Sequence, residues 1–214
     1  MRSLASGMGE SPPAPLSMGN LEQRDVLGAV DYLRTGSLPF PELGRPRTIG
    51  GLGISMGAST LLLAAAREPA IKAVVSDSAY ADAAPLLERE IPKRTVAVVG
   101  RIPWALAPSS LVMARILYGV DLFDARPVDS IARIAPRPLL LIHGAADDYV
   151  PVSNFRQLQN AASSPPAAHV TAWLVPKTRH AQAFKNTGSV YVARVVGFFD
   201  AGLGADRGSS GAGA

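Results

Sequence analysis

The feature that most constrains the fold is the five-residue segment Gly-Ile-Ser-Met-Gly at Gly53–Gly57. A short uncharged run, Thr48–Leu52, comes before it, and an alanine- and leucine-rich run, Ala58–Ala66, follows. This order predicts a buried strand, a tight turn and a helix, with Ser55 at the turn. We expect glycine at positions 53 and 57 because side chains there would collide with each other and with neighbouring strands. The pattern is that of a nucleophile elbow, which lifts a serine hydroxyl clear of the sheet.

Length and composition narrow the class of protein. At 214 residues, 48% hydrophobic and 18% charged, the chain is expected to form one compact domain over residues 1–200. Glycine, alanine and serine dominate residues 201–214, which we expect to be a flexible tail. Because the chain has no cysteine, disulfides, thiolate metal sites and cysteine nucleophiles are excluded.

Charge and hydropathy argue against nucleic-acid and membrane partners. The net charge is +4, but the basic residues are scattered and not interleaved with aromatic side chains, so we predict no nucleic-acid partner. Two arginines and two prolines interrupt the most apolar stretch, Val96–Tyr118, and the N-terminus has no signal-peptide core. No membrane partner is therefore evident from the sequence, and we predict a cytoplasmic location.

Apolar runs of strand length also occur after the elbow, at Ile71–Ser76, Leu139–Ile142 and Val170–Val175. Helical patterns lie between and after them, including Ser153–Ala162 and a terminal helix at Ser189–Phe199. Strands that alternate with helices predict an α/β fold, with a mostly parallel sheet covered by helices on both faces. In the terminal helix, the residues expected to face inward are Val192, Val195, Val196 and Phe199.

Three polar residues follow three different strands, as the residues of an active site in a parallel sheet should. Ser55 follows the first strand, Asp147 lies after Leu139–Ile142, and His180 lies after Val170–Val175. A serine hydroxyl needs a base to take its proton, and a histidine can take that proton and later return it. A carboxylate on the other ring nitrogen holds the imidazole in the required tautomer. The order Ser, Asp, His is the one that accompanies a nucleophile elbow.

Neighbouring residues offer alternative assignments. Asp148 could be the acid, with Asp147 capping a turn, although we favour Asp147. His143 ends a strand and is expected to orient the acid loop, whereas His169 precedes a strand and is expected at the surface. The residues Ser76–Ser78 follow another strand, but as loop and cap groups they need no catalytic role.

These motifs together resemble the α/β-hydrolase family. The matching segments are Gly53–Ala58, Pro138–Pro151 and Val175–Phe184, and the resemblance runs from about Gly19 to Phe199. In that family the acid is the aspartate of a His-Gly-x-x-Asp-x-x-Val-Pro segment, which here is Asp147. The resemblance also implies that the backbone N–H of Met56, directly after the nucleophile, binds the oxyanion.

The second oxyanion donor of that family comes from a loop after an earlier strand, and no such strand and loop precede Ser55 here. The segment Gly7–Ser11 is similar to a Gly-x-Gly-x-Ser segment of many members, although Leu4 and Ser6 depart from their pattern. We therefore expect an N-terminally incomplete hydrolase domain with impaired oxyanion stabilisation. Its exposed sheet edge would allow a homo-oligomer.

The proline-broken segment of about residues 85–127 lies between the strands that carry Ser55 and Asp147, and we expect it to form a small helical cap. The apolar wall expected of this cap consists of Ile102, Trp104, Leu106, Leu111 and Met113. Such a wall favours an uncharged small-molecule acyl substrate.

The function expected from the sequence is a serine hydrolase that cleaves a carboxylic ester or related acyl bond through an acyl-enzyme. No metal or organic cofactor is implied. Two alternatives stay open: a serine peptidase or acylaminopeptidase of the same fold, and a catalytically impaired fragment lacking part of the oxyanion hole.

Overall fold

The computed structural model describes residues 11–39, 42, 44–93, 95, 96, 100, 101 and 103–204. Its strands are β1 (Ile49–Ile54), β2 (Ile71–Asp77), β3 (Thr95–Val96), β4 (Gly100–Arg101), β5 (Leu139–Gly144) and β6 (Val170–Val175). The main sheet has the order β1-β2-β5-β6, and every neighbouring pair in it is parallel. The predicted parallel sheet is therefore confirmed.

Helices cover both faces of this sheet. They are α1 (Gln23–Thr35), α2 (Met56–Ala65), α3 (Ala83–Glu90), α4 (Ala107–Tyr118), α5 (Val152–Ala162), α6 (Ala183–Thr187) and α7 (Ser189–Gly204). Side chains of a strand alternate between faces, so Val74 belongs to a core cluster with residues of α1, α2 and α5, while Val75 belongs to another with residues of α6 and α7. Because both faces are buried, Leu139–Ile142 of β5 and the central residues 73–75 of β2 are uninterrupted apolar runs.

The inward face of α7 differs from the predicted one. Val195 is buried as expected, but Val192 and Val196 are 48% and 51% exposed. Tyr191 is buried instead, and its hydroxyl donates to Asp77 Oδ2 in β2 at 3.1 Å. Positions 191 and 195, four residues apart on one face of the helix, therefore face the sheet. The helix also continues to Gly204, so residues 201–204 belong to it, and residues 205–214 lie outside the described part of the chain.

The segment expected to form the cap contains α3, α4 and an antiparallel pairing of β3 with β4 that the sequence did not predict. Two-residue strands are too short to show a hydrophobic period. Of the expected apolar wall, Leu111 is buried against Ala84, Val120 and Leu122. Trp104, Leu106 and Met113 are exposed, and Ile102 lies outside the described residues.

The outer strands of the sheet are β1 and β6. On β1, Leu52 and Ile54 are each 44% exposed, so the prediction that this strand is buried is wrong. The segment Gly7–Ser11 falls outside the described residues except for Ser11. Within the described ranges, no helix is long and apolar enough to cross a membrane.

Candidate active site

Ser55 stands between β1 and α2 in the conformation expected of a nucleophile elbow. Its φ of 55° and ψ of −123° are rarely adopted by a residue with a side chain. Two sets of backbone bonds hold this conformation: Ser55 N–H donates to Asp77 O at 2.8 Å, and Ala58 N–H and Ser59 N–H donate to Ser55 O. The strain is thus imposed by β2 on one side and by the first turn of α2 on the other.

The two glycines of the elbow differ in their surroundings. A Cβ on Gly53 would lie 2.4 Å from Gly57 O and 2.7 Å from Ala58 Cα, so no larger residue fits without moving backbone. A Cβ on Gly57 would meet no described atom within 4 Å. The prediction of a steric need for glycine is confirmed at Gly53 and wrong at Gly57, because residue 57 is exposed in the first turn of α2.

The structure brings Ser55, His180 and Asp147 into one hydrogen-bonded chain. Ser55 Oγ lies 2.7 Å from His180 Nε2, and His180 Nδ1 lies 2.8 Å from Asp147 Oδ2. An ionised carboxylate only accepts, so we assign the ring proton to Nδ1, which leaves Nε2 to accept from the serine hydroxyl. The Asp147 side chain is fully buried and the His180 ring is one-fifth exposed, so these hydrogen bonds lead from the protein interior to its surface.

The acid loop places Asp147, and not Asp148, against the imidazole. The second carboxylate oxygen of Asp147 accepts from the backbone N–H groups of Tyr149 at 3.0 Å and Val150 at 2.8 Å. Asp148 is exposed and pairs with Arg179 at 2.5 Å, a bond that lowers the pKa of Asp148. Of the two carboxylates that the sequence left open, Asp147 is therefore the one that reaches His180.

His143 and His169 lie where the sequence placed them. His169 is exposed just before β6. His143 is buried at the end of β5, and its Nε2–H donates to Val150 O in the acid loop at 2.9 Å. Burial lowers the pKa of His143, which favours the neutral ring. Its Nε2 is 3.5 Å from Asp147 Oδ2, so it lies beside the acid without taking the place of His180.

Arg89 on α3 is a neighbour of the site that the sequence analysis missed. Its guanidinium donates to Asp148 O at 2.8 Å and to Tyr149 O at 2.6 Å. The ring of Tyr149 in turn packs on His180, with ring centroids 5.0 Å apart. No local pattern connects Arg89 with a loop 59 residues later, so the sequence carried no signal for this contact.

A buried polar cluster at the end of β2 was also underestimated. Asp77 is 1% exposed and accepts from Ser78 Oγ at 2.9 Å and from the hydroxyl of Tyr191. Burial raises the pKa of Asp77, while these two hydrogen bonds oppose that rise. Ser78 Oγ also accepts from Ala181 N–H, next to His180, at 3.1 Å. The available signal was the position of Asp77 and Ser78 at the carboxyl end of a strand.

Met56 is the first residue of α2, where backbone N–H groups have no acceptor within the helix. The partial positive charge of a helix N-terminus strengthens the hydrogen bond that such an N–H donates to an anion.

In the described part of the chain, no three His, Asp or Glu side chains are grouped so that they could hold a metal ion.

Solved structures of other proteins share most of this chain's fold. The α/β hydrolase GrgF from Penicillium sp. sh18 aligns over 94% of this chain and 78% of its own, with a TM-score of 0.67 and 15% identity. The esterase Pf2001 from Pyrococcus furiosus aligns over 92% of this chain and 68% of its own, with a TM-score of 0.66 and 20% identity. The chain has the α/β-hydrolase fold.

At the sequence level, the similarity to curated proteins is weaker. The uncharacterized protein YfhR of Escherichia coli K12 is 27% identical over 195 residues, which are 90% of this chain. This α/β-hydrolase-fold chain spans 57% of the length of YfhR. No family model matches the chain.

Proposed function

We propose that the chain is a serine hydrolase that cleaves a carboxylic ester or related acyl bond through an acyl-enzyme. The observation that carries this proposal is the hydrogen-bonded chain from Ser55 through His180 to buried Asp147. The strained backbone of Ser55 supports it, because strain of this kind concentrates at functional sites. The α/β-hydrolase fold supports it too, since esterases are among the proteins that share it.

Acylation begins when Ser55 Oγ attacks the carbonyl carbon and its proton passes to His180 Nε2. The new imidazolium is stabilised by Asp147, which stays ionised and keeps the ring oriented. Met56 N–H donates to the oxyanion that forms on the carbonyl oxygen. The tetrahedral intermediate then collapses, His180 protonates the leaving oxygen, and the acyl group remains on Ser55.

Deacylation repeats these steps with water as the nucleophile. His180 takes a proton from water, the hydroxide attacks the acyl carbon, and Ser55 leaves with the proton that His180 returns. Every proton in this scheme is carried by His180, so the reaction needs no metal and no organic cofactor.

The side chains near Ser55 favour an uncharged acyl group. Met56, next to Ser55, and Tyr149, which packs on His180, each lie against a cluster that contains Tyr80 and other buried apolar residues. The charged neighbours Asp148 and Arg179 neutralise each other in an ion pair. We therefore propose a small-molecule ester as the substrate, in preference to a charged peptide end.

The test is hydrolysis of p-nitrophenyl esters of increasing acyl length, with the matching p-nitroanilides for amide cleavage. We expect turnover of the esters, no turnover with Ser55→Ala, and a loss of about 10⁴ in kcat with Asp147→Asn. Asp148→Asn is the matched control and should stay within about twofold of the wild type, because this carboxylate lies outside the hydrogen-bonded chain. Hydrolysis that survives Ser55→Ala would contradict the proposal, and an inactive wild type would favour the catalytically impaired alternative.

A further inference from the structure

The loop that carries His180 is attached to the rest of the molecule on both sides of the histidine. Before it, Thr178 O accepts from Ala146 N–H of the acid loop at 2.9 Å. After it, Ala181 N–H donates to Ser78 Oγ at 3.1 Å. Ala181 has a φ of 54°, a conformation that costs energy for a residue with a side chain and persists only where neighbours impose it.

Ser78 can hold Ala181 only if its own hydroxyl proton points elsewhere. A hydroxyl has one proton to donate and two lone pairs that accept. The Ser78 hydroxyl donates its hydrogen bond to Asp77 Oδ1, with 2.9 Å between the two oxygens. A lone pair of Ser78 Oγ is then left to accept from Ala181 N–H. The other oxygen of Asp77 accepts from the hydroxyl of Tyr191 at 3.1 Å, so the carboxylate is held from both sides.

Asp77 connects both halves of the site. Its backbone oxygen accepts from Ser55 N–H, and its side chain acts on the His180 loop through Ser78. Asp77 and Ser78 are each 1% exposed, so water does not compete for these bonds. Resting on the proposed function, we propose that Asp77 and Ser78 are positioning residues, which hold Ala181 and so keep the His180 imidazole between Ser55 and Asp147.

The test uses two serines: Ser78, which directly follows β2, and Ser76 within that strand. Ser78→Ala should lower kcat for a p-nitrophenyl ester about tenfold, the scale of one hydrogen bond, and leave KM within about twofold. Ser76→Ala is the matched control, because Ser76 Oγ is buried two residues away and has no hydrogen-bond partner among the described residues. We expect the control to keep the wild-type kcat.

Variants of Asp77 test the same point if Ser78→Ala fails to fold, as circular dichroism would reveal. Asp77→Ala should lower kcat about tenfold, whereas Asp77→Asn keeps an oxygen for the Ser78 hydroxyl and should remain within about twofold of wild type. A purely structural role would instead lower the melting temperature and leave kcat per folded molecule unchanged.

The two proposals fail in distinguishable ways. The positioning role alone is overturned if the wild type is active and folded Ser78→Ala keeps the wild-type kcat. It is also overturned if the wild type is active and Asp77→Asn loses as much kcat as Asp77→Ala. Ester hydrolysis that persists in Ser55→Ala overturns the proposed function itself.

Discussion

At the scale of the residue, the elbow depends on one glycine more than on the other. The carbonyl of Gly57 and the backbone of Ala58 occupy the space where a side chain on Gly53 would lie. No described atom lies within 4 Å of the Cβ that residue 57 would carry. The two positions look equivalent in the sequence. They differ because Gly53 is buried in β1 against the backbone of residues 57 and 58, whereas Gly57 is exposed in the first turn of α2.

This difference predicts opposite outcomes for two alanine substitutions. Gly53→Ala should cost about 1–3 kcal/mol of unfolding free energy through overpacking, and it should lower kcat about 100-fold because the Ser55 backbone must shift. Gly57→Ala should be neutral or stabilising by up to about 1 kcal/mol, since alanine is the better helix former. Urea unfolding and ester hydrolysis of the purified variants measure both effects, and equal damage at the two positions would contradict this account.

His143 gives a second prediction at the residue scale. Burial lowers its pKa in the folded protein, so its contribution to stability is present above pH ~6.5, the ordinary histidine pKa, and is lost as the pH falls below that value. His143→Gln keeps a donor near Val150 O but does not titrate. The unfolding free energy of the wild type should therefore fall relative to this variant between pH 7 and about pH 5. Parallel pH profiles for the two proteins would contradict the prediction.

At the scale of the element, α3 holds the acid loop. Arg89 donates to the carbonyls of Asp148 and Tyr149, the two residues that follow Asp147 in the acid loop. The segment between the strands of Ser55 and Asp147 thus takes part in the site through a polar contact. The sequence predicted that this segment would form an apolar wall over the site. Instead, Leu111 is buried in a separate apolar cluster and Trp104 is 79% exposed.

We predict that Arg89→Met lowers kcat by up to about tenfold, because two hydrogen bonds from a guanidinium to the loop are lost. Arg126→Met is a matched control: Arg126 belongs to the same segment and is similarly exposed, but it pairs with Asp82 and Asp129. Steady-state kinetics with one ester compares the two variants. An equal loss of kcat in both would show that the contact with the loop has no specific effect.

At the scale of the whole molecule, much of the fold was predictable because its signals are local. The strand β5, buried on both faces, reads as an apolar run, and a serine, an aspartate and a histidine that follow three parallel strands fall at the same edge of the sheet. The contacts that were missed join residues far apart in the chain. Tyr191 and Asp77 are separated by 114 positions, and the buried face of α7 could not be predicted from the helix pattern alone.

The outer strand β1 leads to a prediction about assembly. Leu52 and Ile54 on this strand are each 44% exposed, and an outer strand has backbone groups free to pair with another chain. We expect concentration-dependent self-association in sedimentation velocity, reduced by Leu52→Lys. Ile116→Lys, at an exposed position of α4, is the control. A monomer at every concentration, or dissociation by the control alone, would contradict association through β1.

Covalent capture of the nucleophile tests the central claim most directly. A fluorophosphonate carries an electrophilic phosphorus that an activated serine attacks with loss of fluoride, and peptide mass spectrometry locates the adduct. We predict one adduct per chain, on Ser55, formed far more slowly in His180→Ala and absent from Ser55→Ala. No adduct on the folded wild type, or an adduct on another residue that persists in Ser55→Ala, would contradict the assignment of Ser55 as the nucleophile.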